Sequence, residues 1–326
     1  MKVGVFWRKF RNVEFQKKVS HHSIYDDAYD EAFQHLTAIK KAGFNATLIE
    51  WRKDPIEVYK EILSEDIDIV FNVSSLTEIA FLEAFGIPFI GSGIDLVATN
   101  KVVRKNIVAH HDVPTPKFIV VSNPSHIPEH DLQYPLFVKP DRGRGSCGIS
   151  EENLVYRPED LPRVISKITD KIGQDALVEE YIKGREITVG IIGNDDPVVL
   201  PLMEVEYSSS KTNTFEEKML GNAIIHCPAT GLTKAEEQNI RDVAKRAYLA
   251  LNAKDFGRVD VMFSDEGTPY FLELNTFAGL TMTGDAHRGY MGYMAEAQGM
   301  TDAEFIGYIV RSGIERYQSK AVEEVS

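Results

Sequence analysis

Arg258-Val259-Asp260-Val261-Met262-Phe263 and Tyr270-Phe271-Leu272-Glu273-Leu274-Asn275 flank a turn cluster, Ser264-Asp265-Glu266-Gly267-Thr268-Pro269. The first run alternates, so Arg258 and Asp260 share one face of a strand while Val259, Val261 and Phe263 share the other. Glu273 and Asn275 share a face of the second run in the same way. A two-residue turn centred on Glu266-Gly267 pairs Asp260 with Glu273 and Arg258 with Asn275, with cross-strand Cβ atoms about 4.5–5.5 Å apart. Two carboxylates opposed at that distance repel, and a hairpin otherwise gains nothing from them, so a cation between them is the economical reading. Carboxylate and amide oxygens suit Mg²⁺, which keeps several waters and completes its shell from substrate phosphates. A solvated polar face carries the same pattern, and a one-residue bulge would spoil the register.

A second motif lies upstream. Leu136-Phe137-Val138-Lys139-Pro140 reads as a strand ended by proline, and Asp141-Arg142-Gly143-Arg144-Gly145-Ser146-Cys147-Gly148 follows it. The glycines formally match G-x-G-x-x-G, but a dinucleotide fingerprint needs them to open a helix inside a βαβ unit. Here they lead into Ile149 to Val155, which reads as extended or turn-like. The other readings are a loop whose backbone N–H groups wrap a phosphate, with Lys139 adding a point charge, and an ordinary glycine-rich surface loop.

Up to about residue 92, β-branched runs alternate with helical patterns: Lys2 to Trp7, Ile24 to Ala42, Ala46 to Trp51, Ile56 to Leu63, Ile67 to Asn72, Leu76 to Phe85 and Pro88 to Ile90. That order predicts a parallel sheet covered by helices. Asp95 to His111 reads as one helix, closed by Asp112-Val113-Pro114-Thr115-Pro116. Beyond Lys117, strands at Phe118 to Val121, Leu136 to Lys139, Ala176 to Glu180 and Glu186 to Ile192 predict α+β architecture, with helices at Lys234 to Leu251 and Asp302 to Tyr317.

The 326 residues suffice for two or three domains, each with its own core. No stretch approaches the ~20 apolar residues that span a bilayer. The formal charge of −13 opposes the phosphate-driven binding that dominates nucleic-acid affinity, so any phosphate held here is small and locally caged. The start of the chain has no signal-peptide pattern, and Cys147 and Cys227 are too few for a disulfide framework, so a reducing cytoplasm is expected. His21-His22 and His110-His111 read as surface residues, because adjacent positions do not face one site.

From about Phe71 onward the sequence resembles the ATP-grasp superfamily, and within it the D-alanine-D-alanine ligases. The residues that carry the resemblance are Phe137-Val138-Lys139-Pro140 with the glycine loop, Val178-Glu179-Glu180-Tyr181-Ile182 with Gly184-Arg185-Glu186, Gly257 to Met262, and Glu273-Leu274-Asn275-Thr276 with Gly279. The resemblance implies an ATP-grasp fold behind an N-terminal parallel-sheet domain: a substrate domain at 1–92, a central lobe at 93–185 and a catalytic lobe at 186–326. It implies ATP between the two lobes, with Lys101, Lys139, Gly145 and Ser146 on its phosphate side and Glu179 and Glu186 near adenine and ribose. It places Lys218 on the transferred phosphate, Arg258 at the oxyanion, Gly279 among the catalytic residues, and Asp260, Glu273 and Asn275 on two Mg²⁺ ions, with Mn²⁺ as the alternative. It also implies a cytoplasmic homodimer joining a small-molecule carboxylate to an amine through an acyl phosphate, with neither nucleic acid nor membrane as partner.

The substrate pockets depart from that pattern. The glycine-rich signature after the first strand is replaced by Phe6-Trp7-Arg8-Lys9-Phe10-Arg11-Asn12. A loop serine and a tyrosine of the family fall at Gly145 and Met219, and the serine for the second substrate's carboxylate falls at Gly284, beside Asp285. The expected activity is therefore ATP-dependent carboxylate-amine ligation with a pair other than two D-alanines. The alternatives are a D-alanine-D-alanine ligase and a nucleotide-binding module without turnover.

Overall fold

A computed structural model describes residues 1–8, 24–52, 54–72, 76–142, 149–207, 223–282 and 288–323. β1 (Lys2–Arg8), α1 (Ile24–Lys41), β2 (Asn45–Trp51), α2 (Pro55–Ser64), β3 (Ile69–Phe71), α3 (Leu76–Ala84) and β4 (Phe89–Ile90) alternate as the pattern predicts. Their strands run parallel in the order β2-β1-β3-β4. Helices cover both faces. Val3, Val5 and Phe71 pack with Ala32, Leu36 and Ile39 of α1, and Phe6, Ile49 and Val70 pack with Val58 and Ile62 of α2 and Ile79 and Leu82 of α3. The chain passes from β2 back across β1 to β3, so the strand order reverses between β1 and β3, the point at which open parallel sheets place ligands beyond their carboxyl ends. Arg8 ends β1 there, with Nη2 2.8 Å from Oε1 of Glu78, whose side chain is fully buried.

The single helix expected over residues 95–111 is two helices, α4 (Ile94–Val97) and α5 (Lys101–His110). Asn100 divides them: its side chain caps α5 by accepting from the Val103 N–H at 2.9 Å. Asparagine competes with the helix for backbone donors, which is why it starts a helix here instead of continuing one. β5 (Phe118–Val121), β6 (Leu136–Pro140), β7 (Leu154–Val155), α6 (Leu161–Thr169) and β8 (Ala176–Glu180) form a small lobe. Its antiparallel sheet has the order β5-β8-β6-β7, and α6 buries Leu161, Val164, Ile165 and Ile168 against it.

β9 (Gly184–Ile192), β10 (Val198–Val199), β11 (Met203–Tyr207), β12 (Ala223–His226), α7 (Lys234–Ala250), β13 (Phe256–Ser264), β14 (Pro269–Asn275), α8 (Tyr290–Ala297) and α9 (Asp302–Glu323) complete the chain. The large sheet has the order β12-β11-β9-β13-β14, with β10 beside β9. α7 starts on a capping box between Thr233 and Glu236. It packs Ile240, Val243, Ala247 and Tyr248 against Val259, Val261, Phe271 and Leu274. On the other face, Met203, Phe256 and Met294 share a core with Phe305 and Ile309 of α9 and with Val3 and Ile39 of the first sheet. A buried ion pair reinforces that junction: Arg316 Nη2 lies 2.7 Å from Asp255 Oδ2, which also accepts from the Gly91 N–H at 2.8 Å. The first and last parts of the chain are thus one packed body, with the small lobe attached through α5.

Candidate active site

The hairpin carries the polar residues that its sequence pattern promises, by a different route. Phe263 pairs with Pro269, Met262 with Tyr270 and Val261 with Phe271, and Asp260 then pairs with Glu273. The loop is one residue longer than the two-residue turn expected: Ser264 N–H reaches Thr268 O at 2.9 Å, and Gly267 takes φ +82°, open to glycine at no steric cost. A bulge at Leu272 then shifts the ladder back by one, so Asp260 faces Glu273 and Arg258 faces Asn275 after all. The bulge also decides which side chains meet. In a regular strand Glu273 would share a face with Phe271, which is fully buried under α7. The extra residue reverses that alternation, sends Leu274 into the core and turns Glu273 and Asn275 toward Arg258 and Asp260.

Asp260 is nine-tenths buried or more and accepts four hydrogen bonds. Thr188 Oγ1 and Arg258 Nε donate to Oδ1 at 3.1 and 3.0 Å, and Arg258 Nη2 and Asn275 Nδ2 donate to Oδ2, each at 2.9 Å. Arg258 therefore holds Asp260 bidentately, and this carboxylate holds the guanidinium pKa above its usual range against the opposing effect of burial. The guanidinium also lies 5.1 Å from the Tyr290 ring centroid. Asn275 stands 3.4 Å from Glu273 through Nδ2, and turning its amide over would present an oxygen instead. Glu186 lies opposite Met262, and Thr188 opposite Asp260, so both are on this face of β9.

α5 links this face to the small lobe. Lys101 Nζ is 3.6 Å from Glu273 Oε2, and burial holds the Lys101 ammonium below the ordinary lysine value, with Glu273 opposing. One turn on, Lys105 Nζ is 3.0 Å from Glu179 Oε2, while Lys139 Nζ is 2.6 Å from Glu179 Oε1. Burial pushes the Glu179 carboxyl up, but the two lysines overcome it and hold the group below the usual carboxylate range. Lys101, Lys139, Glu179, Arg258, Asp260, Glu273 and Asn275 thus form connected clusters, whereas Lys218, Gly145 and Ser146 lie outside the described residues. Gly279 lies against Gly289: a Cβ on Gly289 would come within 2.2 Å of the Gly279 backbone, so this contact is open only to glycine.

Residues 107–311 match the family model described as the D-ala D-ala ligase C-terminus. The D-alanine–D-alanine ligase of Carboxydothermus hydrogenoformans is 31% identical over 298 residues, 86% of this chain and 91% of that protein. The chain belongs to the D-alanine–D-alanine ligase family. It is accordingly an ATP-dependent, ADP-forming carbon–nitrogen ligase of ATP-grasp fold. An uncharacterized protein of Sinorhizobium fredii is 32% identical over 267 residues, 76% of this chain and 77% of its own length. In fold, the D-alanine–D-alanine ligase of Bacillus anthracis complexed with ATP superposes with TM-score 0.74 at 21% identity, over 98% of this chain and 99% of that one. VanG, a D-Ala:D-Ser ligase from Enterococcus faecalis, superposes with TM-score 0.71 at 19% identity, over 96% and 99%. No helix among the described residues is long and apolar enough to cross a membrane.

Within this ligase framework, sequence reading missed Lys105, Thr188 and Thr115. The clue to Lys105 was its spacing: four residues beyond Lys101, it lies on the same face of α5. Arg8, in the segment that replaces the family's glycine-rich signature, pairs with the buried Glu78. Lys9, Arg11, Met219, Gly284 and Asp285 lie outside the described residues. His110 and His111 are exposed, and burial raises the Cys227 thiol to about 11, which suits a structural residue better than a nucleophile.

Proposed function

We propose that this ligase activates a small carboxylate as an acyl phosphate and transfers it to an amine, and that the pair is not two D-alanines. The observation that carries the chemical half is the bulge at Leu272, which brings Glu273 opposite Asp260 and Asn275 opposite Arg258. A strand has no packing reason to bend in order to oppose two carboxylates. The donor set fits Mg²⁺: two carboxylates and one amide, with Lys101 alongside. Asp260, Glu273 and Asn275 would hold two ions, Mn²⁺ serving as the alternative, and the metal would supply charge neutralisation for the phosphates of ATP.

The chain's own residues do the rest. Lys139 and Lys101 screen the phosphates while the donor carboxylate attacks the γ-phosphorus and ADP leaves. Lys218 follows the transferred phosphoryl group. The amine then attacks the acyl carbon, negative charge grows on its oxygen, and Arg258 with the Gly279 backbone stabilises that charge before inorganic phosphate departs. Glu179 and Glu186 position adenine and ribose. Asp260, held bidentately by Arg258, would share its oxygens with a metal, whose charge would offset part of that of the phosphates.

Substrate choice rests on what the pockets lack. Gly145, Met219 and Gly284 stand where the dipeptide ligases use hydroxyl groups, and a site without such groups loses its hydrogen-bonded discrimination for D-alanine. At the start of α8, the Gly289 N–H donates to Thr281 O at 3.0 Å and the Met291 N–H to Gly279 O at 3.2 Å. Those donors are engaged within the chain, which disfavours an acceptor with a free carboxylate. The second reading is D-alanyl-D-alanine synthesis, favoured by the 31% identity to a ligase of that name. In either case we propose a cytoplasmic homodimer with a substrate domain at 1–92 and lobes at 93–185 and 186–326. Phosphate release from Mg-ATP across a matrix of amino acids and amines, with mass spectrometry of the products, tests the reading. Release that depends on one carboxylate and one amine supports it; no release with any pair would overturn it.

A further inference from the structure

Among the described residues, Lys105 is the most deeply buried ammonium of the site, with a side chain 0% exposed. An isolated cation in such a place would be costly, and it persists because it is paired and hydrogen-bonded. Its Nζ contacts Glu179 Oε2 at 3.0 Å and donates to Thr115 Oγ1 at 2.8 Å, and that hydroxyl donates onward to Phe271 O at 2.9 Å. Burial brings the ammonium down to about 8, with Glu179 opposing, so the pair is ionised at neutral pH.

The partners on β14 are not arbitrary. Phe271 and Leu274 flank the bulge, on the edge strand of the large sheet. Their carbonyls are taken by Thr115 and by Arg104 Nη1, the latter at 2.7 Å, while Lys101 reaches Glu273 between them. α5 and the segment just after it therefore grip the bulge at three points. Lys105 ties that grip to Glu179 in the other lobe.

We propose that Lys105 is a positioning residue that couples the carboxylate for the nucleotide base, Glu179, to the bulged metal-binding strand. Nucleotide affinity and Mg²⁺ requirement then both depend on a side chain that reaches neither ligand. This rests on the nucleotide and metal roles proposed above for Glu179 and Glu273. Coupling terms carried by such networks typically change an affinity by about three- to thirtyfold.

The test uses calorimetric titration of the full chain, with ATP added at fixed Mg²⁺ and Mg²⁺ added at saturating ATP. The wild type is read first: no binding of Mg-ATP would fail the nucleotide reading itself and this proposal with it. Lys105→Met should weaken ATP by about tenfold, the size of one charge-assisted hydrogen bond, and also raise the Mg²⁺ midpoint. Thr115→Val keeps the Lys105–Glu179 pair and cuts only the link to Phe271. It should leave ATP affinity within about twofold and raise the Mg²⁺ midpoint at least about threefold. A purely structural role would lower the melting temperature of both variants with both midpoints unmoved, and that result would overturn the coupling. So would a Lys105→Met protein that weakens ATP alone. If Lys105→Met does not fold, Thr115→Val decides: an unchanged Mg²⁺ midpoint refutes the proposal.

Discussion

Asp260→Asn and Glu273→Gln remove one charge each from opposed positions, and the structure predicts that they differ in stability while sharing a loss of turnover. All four hydrogen bonds to Asp260 are donated to it, two at each oxygen, by Thr188, Arg258 and Asn275. An asparagine there sets its own NH₂ against two donors whichever way the amide lies. It also leaves Arg258, whose side chain is 15% exposed, without a counter-charge at hydrogen-bonding distance. Breaking a buried pair by removing one partner costs about 3–5 kcal/mol. Glu273 is 33% exposed, with Lys101 Nζ at 3.6 Å and Asn275 Nδ2 at 3.4 Å, so its neutralisation should cost less than that of the more buried Asp260. Urea unfolding without Mg²⁺, followed by intrinsic fluorescence, measures both. Equal losses for the two variants, or a larger loss for Glu273→Gln, would refute the assignment of Asp260 as the structural anchor of the pair.

Arg258→Ala should keep nucleotide affinity near that of the wild type while kcat falls by about 10²–10³, because the role proposed for the group is on charge that develops during reaction. Stopped-turnover assays at saturating ATP check it, and weak ATP binding with normal kcat would contradict it. His35 is fully buried against Phe71, and burial lowers it to about 4. Its folded value lies below the unfolded 6.5, so stability is full above pH 6.5 and is lost as pH falls toward 4, by about 3 kcal/mol in all. His35→Leu should flatten that limb of a stability-pH curve, and an unchanged slope would rule the residue out. Arg316→Met strands the Asp255 carboxylate and should cost about 3–5 kcal/mol in denaturant unfolding; a loss below about 1 kcal/mol would show that the junction is held otherwise.

The parallel sheet was legible because strand and helix periods alternate cleanly over the first 92 residues. The residues of the β13-β14 hairpin were legible too, since Arg258 to Phe263 alternates strictly. Its geometry was not: the adjacent apolar pair Phe271-Leu272 is the trace of the bulge, and a reading by alternation passes over it. The longer loop and the bulge offset each other, so the right partners emerged from the wrong turn. α6 and the β11-β12 hairpin escaped notice although Leu161, Val164, Ile165 and Ile168 hold helical spacing and Met203, Val205 and Tyr207 alternate; the two patterns run for only nine and five residues, respectively. Lys105 escaped for another reason. Its partners, Thr115, Glu179 and Phe271, are brought together only by tertiary packing, and no local spacing encodes them.

Incubation with free D-alanine and Mg-ATP, analysed by mass spectrometry for D-alanyl-D-alanine, tests the substrate claim most directly. The proposed substrate choice predicts negligible dipeptide with D-alanine alone, alongside phosphate release when a different carboxylate and amine are supplied. Efficient formation of D-alanyl-D-alanine would contradict that claim and make this chain a dipeptide ligase like its named relatives.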